Sequence, residues 1–154
     1  GYSGGDLSNP TYRNHSGHQE AVLVRFDSSV ISYQRLLRSY WRNVDPLDGD
    51  GQFCDRGDSY RPVIFVEDDR QRRDAIESFE AAASELGVFS ESLKLQIRDL
   101  KKFWLAEDYH QNFAEINGLK YNFYRYSCGR DKRLDELWGE GARTDQEWKT
   151  EDQI

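Results

Sequence analysis

The chain has 154 residues and a mass of 18.1 kDa, a size suited to one domain, and its 37% hydrophobic and 14% aromatic residues can furnish a single core. A formal charge of −7 and an isoelectric point near 5.0 exclude a protein that wraps nucleic acid, which needs clustered Lys and Arg against phosphate. No apolar run approaches the roughly 20 residues of a membrane-spanning helix, and two cysteines, Cys54 and Cys128, are too few for a disulfide-stapled mini-domain or a zinc ribbon.

Taken in chain order, the glycine-rich segment 1–5 reads as a turn where backbone passes close to something else. Residues 21–26 (AVLVRF) are apolar and β-branched, which predicts a largely buried strand. Ser32 is a candidate N-cap for a helix through Leu36, Leu37, Tyr40, Trp41 and Val44, ending before Pro46. Residues 45–60 form a long loop of the kind that often carries function. PVIFV at 62–66 predicts a second buried strand. The charged, Ala-rich stretch 68–86 predicts a long solvent-facing helix stopped by Gly87. A third strand is expected over 93–97, a helix over 107–116 stopped by Gly118, and a short helix over 131–138 opening on an acid. Beyond Gly139 the polar sequence predicts a disordered or loosely held tail. Strands separated by helices imply an α+β fold, a two-layer α/β sandwich in which helices cover a mixed sheet.

Two clusters repeat one pairing of acid and phenol. NPTY at 9–12 and GHQE at 17–20 set Tyr12 and Glu20 ahead of the first apolar strand, and CDRGDSYR at 54–61 sets Asp55 beside Tyr60. Together they suggest one polar pocket that holds an oxygen and hands it a proton. Partial burial at the strand entrance would raise the Glu20 carboxyl toward neutrality and make it a donor; an exposed strand-end glutamate is the alternative that spacing leaves open. Asp55 can accept loop N–H bonds, and Asp58 reads as a surface turn residue. Tyr12 and Tyr60 can donate to a polarised oxygen or serve as packing with a wet tip. Cys128 lies in a Gly-containing loop beside Arg130, surroundings that favour thiolate, unless it is a buried small hydrophobe. Cys54, next to Asp55, reads as structural. His15, His18 and His110 show no CxxC, HExxH or paired-carboxylate spacing, so no metal is expected.

GYSGG (1–5), NPTY (9–12), GHQEAV (17–22), SYQRLLRSYW (32–41), DRGDSYR (55–61) and AEDYHQ (106–111) together resemble the A-type peptide methionine sulfoxide reductases, over nearly all of 1–138. The resemblance implies a thiol enzyme that reduces the S epimer of methionine sulfoxide, free or in proteins, and is regenerated by thioredoxin. It implies a fold related to the ferredoxin-like plait, with no cofactor. It also implies that Glu20 protonates the sulfoxide oxygen, that Tyr12 and Tyr60 hold it, and that Asp55 supports them. Position makes Cys128 the resolving thiol.

The family's nucleophile lies in a GCFW motif that these 154 residues do not contain. Residues 1–139 are therefore expected to be a reductase domain lacking its N-terminal strand and helix, inactive as it stands, with 140–154 as a polar tail. A monomeric, cytoplasmic protein is expected. A homologue without turnover that binds oxidised-methionine peptides is the alternative.

Overall fold

A computed structural model describes residues 1–149. Two short strands, β1 (Tyr2–Ser3) and β2 (Gln19–Glu20), pair antiparallel with Tyr2 opposite Glu20. The Gly1 ammonium donates to the Ala21 carbonyl and the Ala21 N–H donates to the Gly1 carbonyl, each at 2.8 Å, and the ladder stops there. The predicted buried strand over 21–26 does not form: Val22 is 80% exposed, and Leu23, Val24 and Phe26 also face solvent. An apolar strand is stable only when its backbone groups are paired and one face is covered, and no described residue pairs with 22–26.

Ser32 caps α1 (Tyr33–Trp41) as expected, its hydroxyl accepting the Arg35 N–H at 3.2 Å. The loop that follows carries a hairpin, β3 (Gly51–Gln52) and β4 (Asp55–Arg56), whose two-residue turn is Phe53-Cys54. β5 (Val63–Val66) meets the second expected strand. Asp68 then caps α2 (Asp69–Leu86) by accepting the Gln71 N–H at 2.7 Å, and Gly87 closes it in the left-handed conformation at φ 64°. β6 (Gln96–Asp99) runs parallel to β5, so α2 is the crossover of a parallel β-α-β unit. The α+β class holds, with the strands among the described residues arranged as three separate two-stranded ladders, two antiparallel and one parallel.

The core sits where α1, α2 and the C-terminal α5 (Arg130–Trp138) meet the β5–β6 ladder, and is built from Leu37, Trp41, Val44, Ile64, Val66, Leu134 and Trp138. Its two tryptophans are bonded as well as buried: Trp41 Nε1 donates to Ser78 Oγ at 2.9 Å and Trp138 Nε1 to the Val44 carbonyl at 3.2 Å. Helix α2 is not merely solvent-facing. Ala75, Ser78, Ala82, Ala83 and Glu85 are buried, and the small side chains let α1 and the sheet approach its backbone.

Two further expectations are corrected. The helix over 107–116 is reduced to a 3₁₀ turn at Asp108–His110 and α3 (Phe113–Ile116), while Gly118 begins α4 (Gly118–Ser127) instead of stopping a helix. Gly118 occupies the first turn of α4, and Leu119, Lys120 and Arg125 are the good helix formers that follow it. The tail after Gly139 is held along its described part. Ala142 is buried, Trp148 lies under the Arg42 guanidinium at 5.1 Å, and Arg35 and Arg38 ion-pair with Asp145 and Glu147. Composition suggested disorder because the partners of these acids lie on a helix about 110 residues earlier. Residues 150–154 of the expected tail lie outside the described residues.

Candidate active site

Strand alternation aims the carboxyl of Glu20. Its neighbour Gln19 points inward, its Oε1 accepting from Arg98 Nη1 at 2.6 Å, so Glu20 turns to the opposite face. There it borders an open cleft of about 310 Å³ shared with Tyr2, Tyr12, Ala21, Ala106 and His110. The Glu20 side chain is 35% exposed and His15 Nε2 stands 3.8 Å from its Oε1, so the carboxyl is covered on one side and wet on the other.

Tyr12 belongs to a turn closed by reciprocal backbone bonds between Thr11 and Asn14 at 2.9 Å. Glu107 fixes that turn in space. One carboxylate oxygen accepts the Tyr12 N–H at 2.9 Å and the other accepts the hydroxyl of the buried Tyr2, also at 2.9 Å. The Tyr12 N–H holds the Glu107 carboxyl below its usual range, and the Tyr2 hydroxyl adds to this. The ring of His15 stacks on Tyr2 at 5.0 Å, and the ring of Tyr12 sits tilted against His110 at 4.7 Å.

Tyr60 reaches the same place from the 3₁₀ turn Asp58–Tyr60 that packs on β2. Burial first, and then the charge of Glu20 with Tyr12 and Asp55 nearby, push its hydroxyl up to about 12. Tyr60 therefore remains a proton donor at neutral pH. The stability tied to its neutral form is complete below the ordinary tyrosine value of 10.0 and is lost as pH rises through about 12. In a phenolate titration by ultraviolet absorbance, Tyr60→Phe should remove one late-ionising group and flatten the fall in stability above pH 10. An unchanged late phase would contradict this assignment.

Asp55 is positioned by the hairpin. A Cβ at Gly51 would lie 2.2 Å from the Asp55 carbonyl, so only glycine permits this approach of the two strands. Gly51→Ala should cost about 1–3 kcal/mol in urea unfolding, since neither backbone can yield without opening the turn. Wild-type stability in that variant would mean the approach is not required. The Asp55 carboxylate accepts the Tyr124 hydroxyl at 2.5 Å, which ties α4 to the hairpin.

Glu20 and Tyr12 thus line one cleft, and Tyr60 stands close enough to Glu20, Tyr12 and Asp55 for their charges to act on its hydroxyl. Cys128 stands apart from the cleft. Its sulfur is bonded to Cys54, with a Cα–Cα separation of 5.3 Å across 74 residues of sequence, so Cys128 is not the free, thiolate-prone cysteine expected, while a structural reading of Cys54 fits the bridge. The hairpin turn and the α4–α5 junction fold to one point, and no local pattern announces that. Glu107 was missed although it lies in the quoted AEDYHQ segment, as was Tyr2 in GYSGG; His110 was weighed only as a metal ligand, and Tyr124 carries no local signal. Among the described residues, no helix is long and apolar enough to cross a membrane.

The sequence model of the family described as peptide methionine sulfoxide reductase matches residues 1–142. The peptide methionine sulfoxide reductase MsrA 2 of Caulobacter vibrioides is 50% identical over 143 residues, covering 90% of this chain and 71% of that protein. The MsrA/MsrB protein of Vibrio cholerae is 43% identical over 148 residues, and there the chain spans only 39% of the relative's length. Among solved structures, reduced Mxr1 of Saccharomyces cerevisiae superposes with a TM-score of 0.70 at 25% identity, over 77% of this chain and 69% of that one. Methionine sulfoxide reductase A of Corynebacterium diphtheriae gives 0.69 at 28% identity, over 77% and 62%.

Proposed function

The chain belongs to the peptide methionine sulfoxide reductase family, and from that premise we propose that it holds the oxygen-binding part of a thiol enzyme returning methionine S-sulfoxide, free or in proteins, to methionine. The observation that carries this reading is the meeting of Glu20 and Tyr12 on one cleft, with Tyr60 packed beside Glu20 from a third segment.

A sulfoxide oxygen leaves sulfur only when it is protonated. Glu20 gives that proton in this proposal. The Tyr12 and Tyr60 hydroxyls donate to the same oxygen and stabilise the charge that develops on it, while Asp55 supports the hairpin side of the site. A thiolate attacks the sulfur, methionine leaves, and the resulting sulfenic acid is captured by a second thiol to give a disulfide and water. Cys128 is the proposed capturing thiol and thioredoxin the proposed reductant, in a monomeric cytoplasmic enzyme.

The GCFW nucleophile is not among these 154 residues, and their two cysteines are joined to each other. We therefore expect the 154-residue chain alone not to turn over. The same bridge favours a second reading, a homologue that binds oxidised-methionine peptides without reducing them.

The test uses protein expressed from the complete reading frame, a dithiol, and a peptide carrying a single methionine sulfoxide of defined epimer. Loss of oxygen from the S epimer, with the R epimer untouched, is the expected result by mass spectrometry. Binding of the S epimer without loss of oxygen would support the second reading, and neither binding nor loss would reject both.

A further inference from the structure

We propose that the Cys54–Cys128 bridge is a site of exchange with dithiols, and that its redox state decides whether Tyr124 is held on Asp55. Cys54 occupies the tip of the β3–β4 hairpin and is exposed, whereas Cys128 follows α4 and is half-buried. An exposed bridge is open to attack by an incoming thiolate, in contrast to one sealed in a core. Reduction begins with a dithiol thiolate attacking Cys54 Sγ. The Cys54–Cys128 bond breaks and Cys128 leaves as thiolate at the junction where α4 ends and α5 begins, with the neighbouring Arg130 guanidinium favouring negative charge against the carbonyl end of α4. The Arg130 guanidinium lies 4.5 Å over the ring of Phe53, the residue before Cys54, and so stands beside both halves of the bridge in sequence. The second thiol of the reagent then attacks the mixed disulfide, releases Cys54 as a thiol and closes its own disulfide. Two electrons pass from the dithiol to the bridge, and the Cys128 thiolate takes its proton from water.

The structural consequence follows from what else secures α4. No residue of α4 is buried. Among the described residues, its one side-chain hydrogen bond to a residue before α3 is from Tyr124 to Asp55. That bond runs parallel to the bridge: Asp55 follows Cys54, and Tyr124 lies one turn before Cys128, whose N–H donates to the Tyr124 carbonyl at 3.0 Å. The bridge keeps phenol and carboxylate at high effective concentration. Once it opens, that partly exposed hydrogen bond and the Arg125–Asp131 pair with α5 are what hold a helix whose Leu119, Phe123 and Tyr126 face water. Asp55 then loses its partner next to Tyr60. The effect on the cleft rests on the oxygen-binding function proposed above; the exchange itself does not.

The experiment equilibrates the 154-residue chain, without denaturant, in graded mixtures of reduced and oxidised dithiothreitol, followed by acid quenching, alkylation and mass analysis. Both cysteines should become alkylated together under native conditions. Amide hydrogen exchange across 118–127 should then rise on the order of tenfold in the reduced protein, while α2 and β5 remain protected. Cys54→Ser should show the raised exchange without reductant; should that variant not fold, the reduced wild-type chain decides alone. A bridge that opens only in denaturant, or equal exchange over 118–127 in both redox states, overturns the proposal. No sulfoxide is present in any arm, so the outcome is independent of whether the reductase reading survives.

Discussion

Glu20→Gln, made in the protein from the complete reading frame, should lower kcat/KM for methionine S-sulfoxide by about 10²–10⁴-fold, the usual range for loss of a positioned general acid. Glutamine keeps the shape and can still donate a hydrogen bond, but it cannot surrender a proton to the leaving oxygen. The neighbours should hold the replacement in place, because Gln19 is anchored by Arg98 and the β1–β2 ladder is made by backbone atoms. Substrate binding should accordingly change little, and the loss should fall on kcat. Turnover within about tenfold of wild type would remove Glu20 from the role of acid.

The largest effect on stability is expected at Glu85. Its side chain and that of Arg42 are each 1% exposed, and Arg42 Nη2 donates to both Glu85 oxygens at 3.1 and 2.8 Å. The same pair gathers the tail: Arg42 donates to the Gln146 carbonyl at 2.6 Å, and Glu85 Oε2 accepts the Lys149 N–H at 3.0 Å. Glu85→Ala leaves an uncompensated guanidinium in the interior and should cost about 3–5 kcal/mol in urea unfolding. The double replacement Arg42→Met with Glu85→Leu should cost clearly less, because it removes both charges and fills the space. If the single variant is no less stable than the double, burial of an unpaired charge is not what governs this site.

Elements whose signals are local were legible in the sequence. Ser32 and Gly87 mark the start of α1 and the end of α2 through bonds made within a few residues, and the apolar run PVIFV at 62–66 pointed to β5. The acid-phenol pairing was legible too, because Tyr12, Glu20, Asp55 and Tyr60 each lie in a short motif. What escaped depends on contacts distant in sequence. Glu107 serves Tyr12 from 95 positions away, Tyr124 serves Asp55 from 69, and the two cysteines meet across 74. Helix α2 was mistaken for a surface element because its buried stripe is made of Ala and Ser, which look neutral in composition but allow close packing. The run 21–26 reads as a strand by propensity, and propensity says nothing about whether a neighbour exists to complete it.

That run also governs how this polypeptide handles at the bench. Valines and a phenylalanine with free amide and carbonyl groups make a ready template for hydrogen bonding between molecules, and Arg25 is the one charge placed within them to discourage it. Light scattering should therefore grow with concentration and shrink when Val22 or Val24 is replaced by lysine.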